Sequence, residues 1–242
     1  MIENLPLYLP VVFVLTTILT IWLFVWALKS SYIVEQKRNL AAIIMGLLLW
    51  LVVQAVMALV YFYSTDINSI PPKIVLTGIL PPILMIALLF VTKRGKQFID
   101  SLPLNRITWL HTIRMPVEII LVWLYLYKTI PELMTFEGRN FDIIAGLTAP
   151  LIAYYGVSRK KLSKGAILTW NFISLGLLLS VVVNAFFSAP SPLQKFAFDQ
   201  PNIAILYFPF IWLPTFIVPV VLFGHLVSIR QLLKKTTVIL CL

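Results

Sequence analysis

Repeated apolar runs constrain the fold of this chain more than any other feature of its sequence. A helix needs about 20 apolar residues to cross a hydrocarbon core about 30 Å thick. Only 12% of the residues are charged, about half of the share found in soluble domains. The runs therefore predict an all-α, polytopic integral membrane protein. Its seven transmembrane helices are expected near residues 8–27, 40–62, 74–91, 107–128, 143–157, 167–187 and 205–229.

The predicted helices form one domain, 1–242, because neither an internal repeat nor a low-complexity linker separates them. The first apolar run is longer than the core of a signal peptide and follows no basic segment, so we expect it to be retained as the first span. A single cysteine, Cys241, excludes a disulfide framework and a cysteine-rich metal site.

Loops rich in lysine and arginine alternate with loops that are poor in them, and this alternation predicts the orientation of the chain. Of the 19 basic residues, fourteen fall on one side of the predicted bundle, four fall on the other, and Arg114 lies within the fourth span. Since basic loops stay in the cytoplasm, we expect the N-terminus outside and the C-terminus in the cytoplasm. The expected location is the cytoplasmic or plasma membrane.

The formal charge of +10 does not indicate a nucleic-acid partner. The basic residues form short clusters between apolar runs, and the sequence has no basic patch interleaved with aromatic residues of the kind that single-strand binders use. The lipid bilayer is therefore the expected partner, and the sequence leaves the oligomeric state open.

Four polar side chains lie on one narrow stripe of the fourth predicted helix. At 100° per residue, Arg114, Glu118 and Tyr125 fall within about 60° of His111. A charge at membrane depth costs at least about 2.5–3.5 kcal/mol and therefore faces protein or water. Arg114 and Glu118 have the i, i+4 spacing of an ion pair. Pro116 between them removes a helical hydrogen-bond donor, so we expect the helix to bend there.

Other predicted helices offer polar partners to this stripe. Counted from the basic residues that flank each helix, His225 on the seventh lies at about the depth of His111 on the fourth. Asn171 on the sixth helix lies near the same end, and Tyr154 on the fifth is a further candidate. Such groups commonly form interhelical hydrogen bonds, and they also line binding sites.

Two polar residues precede the fifth predicted helix. Asn140 is placed to cap this helix, and Asp142 is placed to face its positive N-terminal end. We assign both of them a capping role.

Prolines are frequent within the predicted spans. The third contains Pro81 and Pro82, and the seventh contains Pro209, Pro214 and Pro219. A proline frees a helical carbonyl from its usual donor and kinks the helix. In a membrane the freed group needs another partner or a cavity, so we expect both near these prolines.

Together these features predict a polar-lined cavity in the inner half of the bilayer that binds, senses or transports a small polar or ionic ligand. Arg114 is the candidate anion-binding or charge-compensating group, Glu118 the proton or cation acceptor, and His111 a titratable neighbour. The candidate ligand-binding residues are His111, Arg114, Glu118, Tyr125, Asn171 and His225.

Two other classes of function stay open. A b-type haem (haem b) needs two histidines at equal depth that face each other, and His111 and His225 meet the depth requirement. Other membrane-embedded enzymes built on these histidines, and a non-catalytic assembly subunit, are further alternatives. The sequence contains no G-x-S-x-G motif, no phosphate-binding loop and too few histidines for a typical zinc site, so we predict no metal and favour a binding or transport role over an enzymatic one.

Overall fold

The computed structural model of the protein describes residues 2, 5–29, 31 and 37–234. Cys241 lies outside these residues. Within them every regular element is helical, and no strand occurs. The longer helices are α1 (Tyr8–Leu28), α2 (Lys37–Leu59), α3 (Val75–Val91), α4 (Lys93–Ser101), α5 (Leu104–Leu126), α6 (Asp142–Ser158), α7 (Lys164–Ser188) and α8 (Leu213–Leu233).

The helices are those of a membrane protein. In the described part of the chain, five helices are long and apolar enough to cross a bilayer, namely α1, α2, α5, α7 and α8. A bend of 93° separates α3 from α4, and this pair counts as a sixth candidate span. The remaining apolar helix, α6, is shorter. The prediction of an all-α membrane protein is therefore confirmed, with five or six candidate spans.

The predicted start of the last span is wrong. We expected a helix from residue 205, but α8 begins at Leu213, and a short 3-10 turn at Ala204–Leu206 precedes it. Pro209 explains the difference, because it has no amide hydrogen for a helical bond and disfavours helical geometry at Phe208. An apolar run alone does not distinguish a helix from a buried loop.

Prolines loosen the third helix, and the freed carbonyl finds a partner on the second. The first residues of α3, Val75–Ile79, form a π-helical turn that ends just before Pro81 and Pro82. Neither proline donates a hydrogen bond, so the Thr77 carbonyl lacks both its α-helical and its π-helical donor. The buried Gln54 amide donates to this carbonyl at 3.1 Å.

The eighth helix repeats this arrangement. Its first residues, Leu213–Ile217, also form a π-helical turn, and Pro219 cannot donate to the Thr215 carbonyl. The indole of Trp50 donates to that carbonyl at 3.0 Å. Carbonyls that prolines release thus hold α2 against α3 and α8, as a bilayer requires of freed polar groups.

Helix α5, which corresponds to the fourth predicted span, continues past Pro116 without ending. Pro116 has no amide hydrogen for the Thr112 carbonyl, and the helix tightens into a 3-10 turn at His111–Ile113. The Arg114 amide donates to the His111 carbonyl in this turn. We expected a bend at Pro116, and what the structure shows there is a local change of helix type within one continuous helix.

The short helix α4 is fixed to the C-terminal end of α8. Arg230 donates two hydrogen bonds to the Asp100 carboxylate at 3.0 and 3.1 Å, and Lys234 donates a third at 2.5 Å. Gln231 donates to the carbonyls of Ile99 and Leu102, at the end of α4. Since α4 carries charged residues and turns away from α3, it suits the membrane surface better than the hydrocarbon core.

At the opposite end of the bundle, the two long loops 127–141 and 189–212 pack against each other. The Thr129 carbonyl accepts from the amides of Ile203 and Ala204 at 3.0 and 3.1 Å. The Gln200 amide donates to the carbonyls of Tyr125 and Ile130 at 3.1 and 2.6 Å. These loops therefore fold back onto the helices.

Replacing Gln54 with leucine tests the partnership between α2 and α3. We expect the free energy of unfolding to fall by about 1–3 kcal/mol, because the Thr77 carbonyl and the Tyr63 hydroxyl, which donates to Gln54 at 2.6 Å, lose a buried partner. Titration of the purified protein with a denaturing detergent measures the change. Gln97→Leu, at an exposed position of α4, is the control and should have little effect; equal losses would contradict this account.

Candidate functional site

A buried ion pair between Arg114 and Asp142 forms the centre of the candidate site. Arg114 and Asp142 are 2% and 4% exposed, and the Arg114 Nε donates to Asp142 Oδ2 at 2.5 Å. A second, parallel contact joins Arg114 Nη2 to Asp142 Oδ1. The fork of the guanidinium thus meets both carboxylate oxygens, the geometry of a strong pair.

The predicted pair of Arg114 with Glu118 is therefore wrong, because Asp142 at the start of α6 takes that position. Close packing of α6 on α5 makes this contact. A side chain at Gly146, one turn into α6, would place its Cβ 2.8 Å from the Met115 nitrogen and 3.2 Å from the Arg114 Cβ. Glycine allows the two helices to approach.

The remaining donors of Arg114 reach two more helices. Nη2 donates to the Ser174 carbonyl on α7 at 2.9 Å, and Nη1 lies 3.0 Å from His225 Nε2 on α8. Because a guanidinium only donates, His225 Nε2 accepts and carries no proton. His225 Nδ1 then donates to the Asn171 side-chain oxygen at 3.1 Å. The network therefore requires a neutral His225 with its proton on Nδ1.

His111 stacks on the ring of His225. The two ring centroids are 3.8 Å apart with the planes 22° from parallel, and Trp170 meets the His111 ring edge-on at 5.7 Å. His111 is fully buried, and neither ring nitrogen has a partner among the residues that the structure describes. Gly224 makes room for it, since a Cβ there would lie 3.1 Å from the ring.

The two histidines do not fit a bis-histidine haem in this arrangement. Axial ligands bind iron from opposite faces of the porphyrin, whereas rings 3.8 Å apart leave no space for a haem plane between them. Both nitrogens of His225 are also engaged, by Arg114 and by Asn171. Among the described residues, no group of three His, Cys, Asp or Glu side chains is placed to hold a metal ion.

Asn140 connects the ion pair to Glu118. Its Nδ2 donates to Glu118 Oε2 at 2.7 Å and to the Met134 carbonyl at 2.9 Å. Its Oδ1 accepts from the Asp142 amide at 2.9 Å. Asn140 therefore bonds the first amide of α6 as expected of a capping residue, but the N-cap position itself belongs to Phe141. Asn140 thus binds the Glu118 carboxylate directly, and it is connected to Asp142 through the backbone amide of that residue.

A cavity of about 310 Å³ lies beside the two carboxylates, between α3, α5, α7 and α8. Glu118 and Asp142 line it, and the loop between α2 and α3 contributes Tyr63, Asp66 and Lys73. Most of its wall is apolar, formed in part by Val117, Leu121, Leu178, Val181, Leu213 and Val218. The sequence predicted a polar-lined cavity in the inner half of the bilayer, on the side of the bundle that carries most of the basic residues. The described cavity is instead largely apolar and extends toward residues 63–74.

The structure brings most of the predicted site residues together. Arg114, His225 and Asn171 share one hydrogen-bond network, and His111 packs on it. Tyr125 does not join the network. Its ring packs against the main hydrophobic core near the 127–141 loop. Tyr154 lies apart as well, because its hydroxyl accepts from Arg159 at an exposed position.

The sequence reasoning missed Asp142 and Asn140 as members of the site. Both were assigned to capping, and Asn140 does bond the helix start. The burial of Arg114 could have indicated them, because a buried guanidinium needs a carboxylate partner, and that partner can come from any helix or loop that packs against it. An acidic residue at the start of an apolar helix was such a candidate.

Fold and site thus define a helical membrane protein with a buried charged network and an apolar cavity next to it. The chain belongs to the family described as Domain of unknown function (DUF8737), which matches residues 71–233 and so includes every residue of the network and Glu118. No curated protein and no solved structure matches the chain.

Replacing Asp142 with asparagine should destabilise the protein strongly. We expect the free energy of unfolding to fall by about 3–5 kcal/mol, because the variant leaves the Arg114 charge buried without its partner. Thermal unfolding in nanodiscs measures the loss. Asp66→Asn, which removes an exposed pair with Lys73 at 3.8 Å, is the control and should change the stability little. A small effect of Asp142→Asn would show that the pair does not hold the helices.

The protonation of His225 can be observed directly, because the chain has only 2 histidines. Nitrogen-15 solid-state NMR of histidine-labelled protein near neutral pH should show one ring protonated at Nδ1 alone, as the donors of Arg114 require. The His111→Asn variant assigns that signal to His225. A His225 ring protonated at Nε2, or at both nitrogens, would contradict the network.

Proposed function

We propose that this protein binds, and passes across the membrane, a small ligand that has an apolar body and one cationic group. The ligand would occupy the cavity of about 310 Å³, with its charged group at Glu118. The observation that carries the proposal is the Glu118 carboxylate, which is 1% exposed and lines an otherwise largely apolar space.

The charge balance of the site favours a cation over an anion. Asp142 already neutralises Arg114, whereas Glu118 has no basic side chain within ion-pair distance among the described residues and accepts one hydrogen bond, from Asn140. An unpaired carboxylate in an apolar environment is costly, so a proton or a cationic ligand stabilises it. A protonated amine with an apolar body fits both the wall and the carboxylate.

The other candidate residues then have supporting roles. Arg114 compensates charge, since its contacts with Asp142, Ser174 and His225 leave it little capacity to bind an anion. We propose that His111, the titratable neighbour, exchanges a proton with the site during transport.

The proposal includes the membrane arrangement expected from the basic residues. With α6 as a seventh span, the N-terminus lies outside and the C-terminus in the cytoplasm of a cell that carries the protein in its cytoplasmic or plasma membrane. The loop 63–74, which borders the cavity, then faces the outside. A ligand would enter from that side and reach Glu118 before the buried network.

Binding of 1-aminoadamantane tests the proposal, because adamantane-1-carboxylate has the same body and the opposite charge. Equilibrium dialysis of the protein in nanodiscs, corrected with empty nanodiscs, should show tighter binding of the amine than of the carboxylate. Glu118→Gln should weaken amine binding by about tenfold or more, since a charged hydrogen bond contributes about 1.5–3 kcal/mol.

Glu137→Gln is the matched control, because Glu137 is an exposed carboxylate on the loop after α5. It should leave amine binding unchanged. Equal binding by wild type and Glu118→Gln, or a preference for the carboxylate probe, would refute the cation site. Uptake of the amine into proteoliposomes then separates transport from binding alone.

A further inference from the structure

A second cavity lies beside the N-terminal half of α2. It has a volume of about 620 Å³ and lies between α1, α2, α3 and α8, with Phe98 of α4 at one end. Of the residues that the structure describes, none that lines this cavity is charged. Only 11% of the most apolar stretch of α2, within Leu40–Leu59, is buried inside the protein. The polar anchors Trp50 and Gln54 lie in the C-terminal half of α2.

The acyl chain of a lipid is the material that fits this gap in a bilayer. An apolar space next to the hydrocarbon core is filled by the tails that surround it, whereas water would find no polar partner there. The cavity runs along α2 from Ala42 to Trp50, a length of about 12 Å at 1.5 Å per residue. A single chain can therefore lie along it.

Basic residues stand where the headgroup of such a lipid would be. Leu28 and Phe98 line the end of the cavity next to α4. Lys29 follows Leu28 directly, and Arg94 precedes Phe98 by four residues, on the same face of α4. Both basic residues are exposed, and neither has an ion-pair partner in the described part of the chain. Arginine and lysine at a membrane surface bind phosphate groups of anionic lipids.

We propose that this cavity is a binding site for an anionic glycerophospholipid of the surrounding bilayer, with one acyl chain between α2 and the bundle and the phosphate at Arg94 and Lys29. The lipid completes the contact of α2 with α3 and α8. The site is separate from Glu118 and does not depend on the proposed transport function.

The headgroup is tested by extracting the protein from nanodiscs that contain equal amounts of phosphatidylglycerol and phosphatidylcholine. Native mass spectrometry should find phosphatidylglycerol retained preferentially. Replacing Arg94 and Lys29 with glutamine should lower this preference by roughly fivefold for each residue. Lys161→Gln, at an exposed position in the loop after α6, is the control. Equal retention of both lipids by the wild type, or a preference that survives the double variant, would overturn the headgroup assignment.

A variant that fills the cavity tests whether an acyl chain occupies it. Gly46 lines it, and a Cβ at this position would meet no atom within 4 Å, so Gly46→Phe can place its ring in the gap. Retention of both lipids should fall severalfold. Gly176→Phe is the matched control, because Gly176 on α7 has the same free space and does not line the cavity.

The helical content of the same variants, measured by circular dichroism, should equal that of the wild type, which shows that each variant is folded. Unchanged lipid retention in Gly46→Phe would refute the chain site. If the wild type did not bind the amine, the cation site at Glu118 would be refuted and the lipid site would remain, so the two proposals fail separately.

Discussion

The arrangement of the helices depends on the cost of one buried charge. Arg114 lies in a segment that crosses apolar surroundings, where an unpaired guanidinium would cost several kcal/mol. Its donors reach Asp142 on α6, the Ser174 carbonyl on α7 and His225 on α8. One side chain of α5 therefore joins three other helices. A bilayer provides no hydrophobic force between helices, so contacts of this kind fix which of them are neighbours.

The sequence predicts much of this site and misses its central pair for a physical reason. Helical periodicity and depth place His111, Arg114 and His225 together, and the structure has His111 stacked on His225. The spacing offered Glu118 as the partner of Arg114. The actual partner, Asp142, depends on the loop 127–141 folding back so that α6 begins beside the middle of α5. Local spacing contains no information about such a loop, and apolar runs likewise could not reveal that Pro209 delays the start of α8.

Proline has a constructive role in this fold. Pro81, Pro82 and Pro219 each remove a helical donor, and the carbonyls of Thr77 and Thr215 are bonded by Gln54 and Trp50 instead. These two contacts hold the C-terminal half of α2, whose surface is otherwise largely exposed. The sequence indicates where carbonyls become free, but only the packing shows which side chains take them.

Two carboxylates lie close together here, and their surroundings give them different roles. Asp142 is bound to a cation of the protein itself, whereas Glu118 is held by an amide and lines a cavity. Asn140 contacts both residues, since its Nδ2 donates to the Glu118 carboxylate and its Oδ1 accepts from the Asp142 backbone amide. Under the proposed function, a cation at Glu118 competes with Asn140 for that carboxylate. A shift of Asn140 would move the start of α6, because Asn140 accepts from the Asp142 amide. Asp142 would in turn move Arg114, its ion-pair partner. The residues that stabilise the bundle therefore also connect the cavity to His225, which Arg114 contacts.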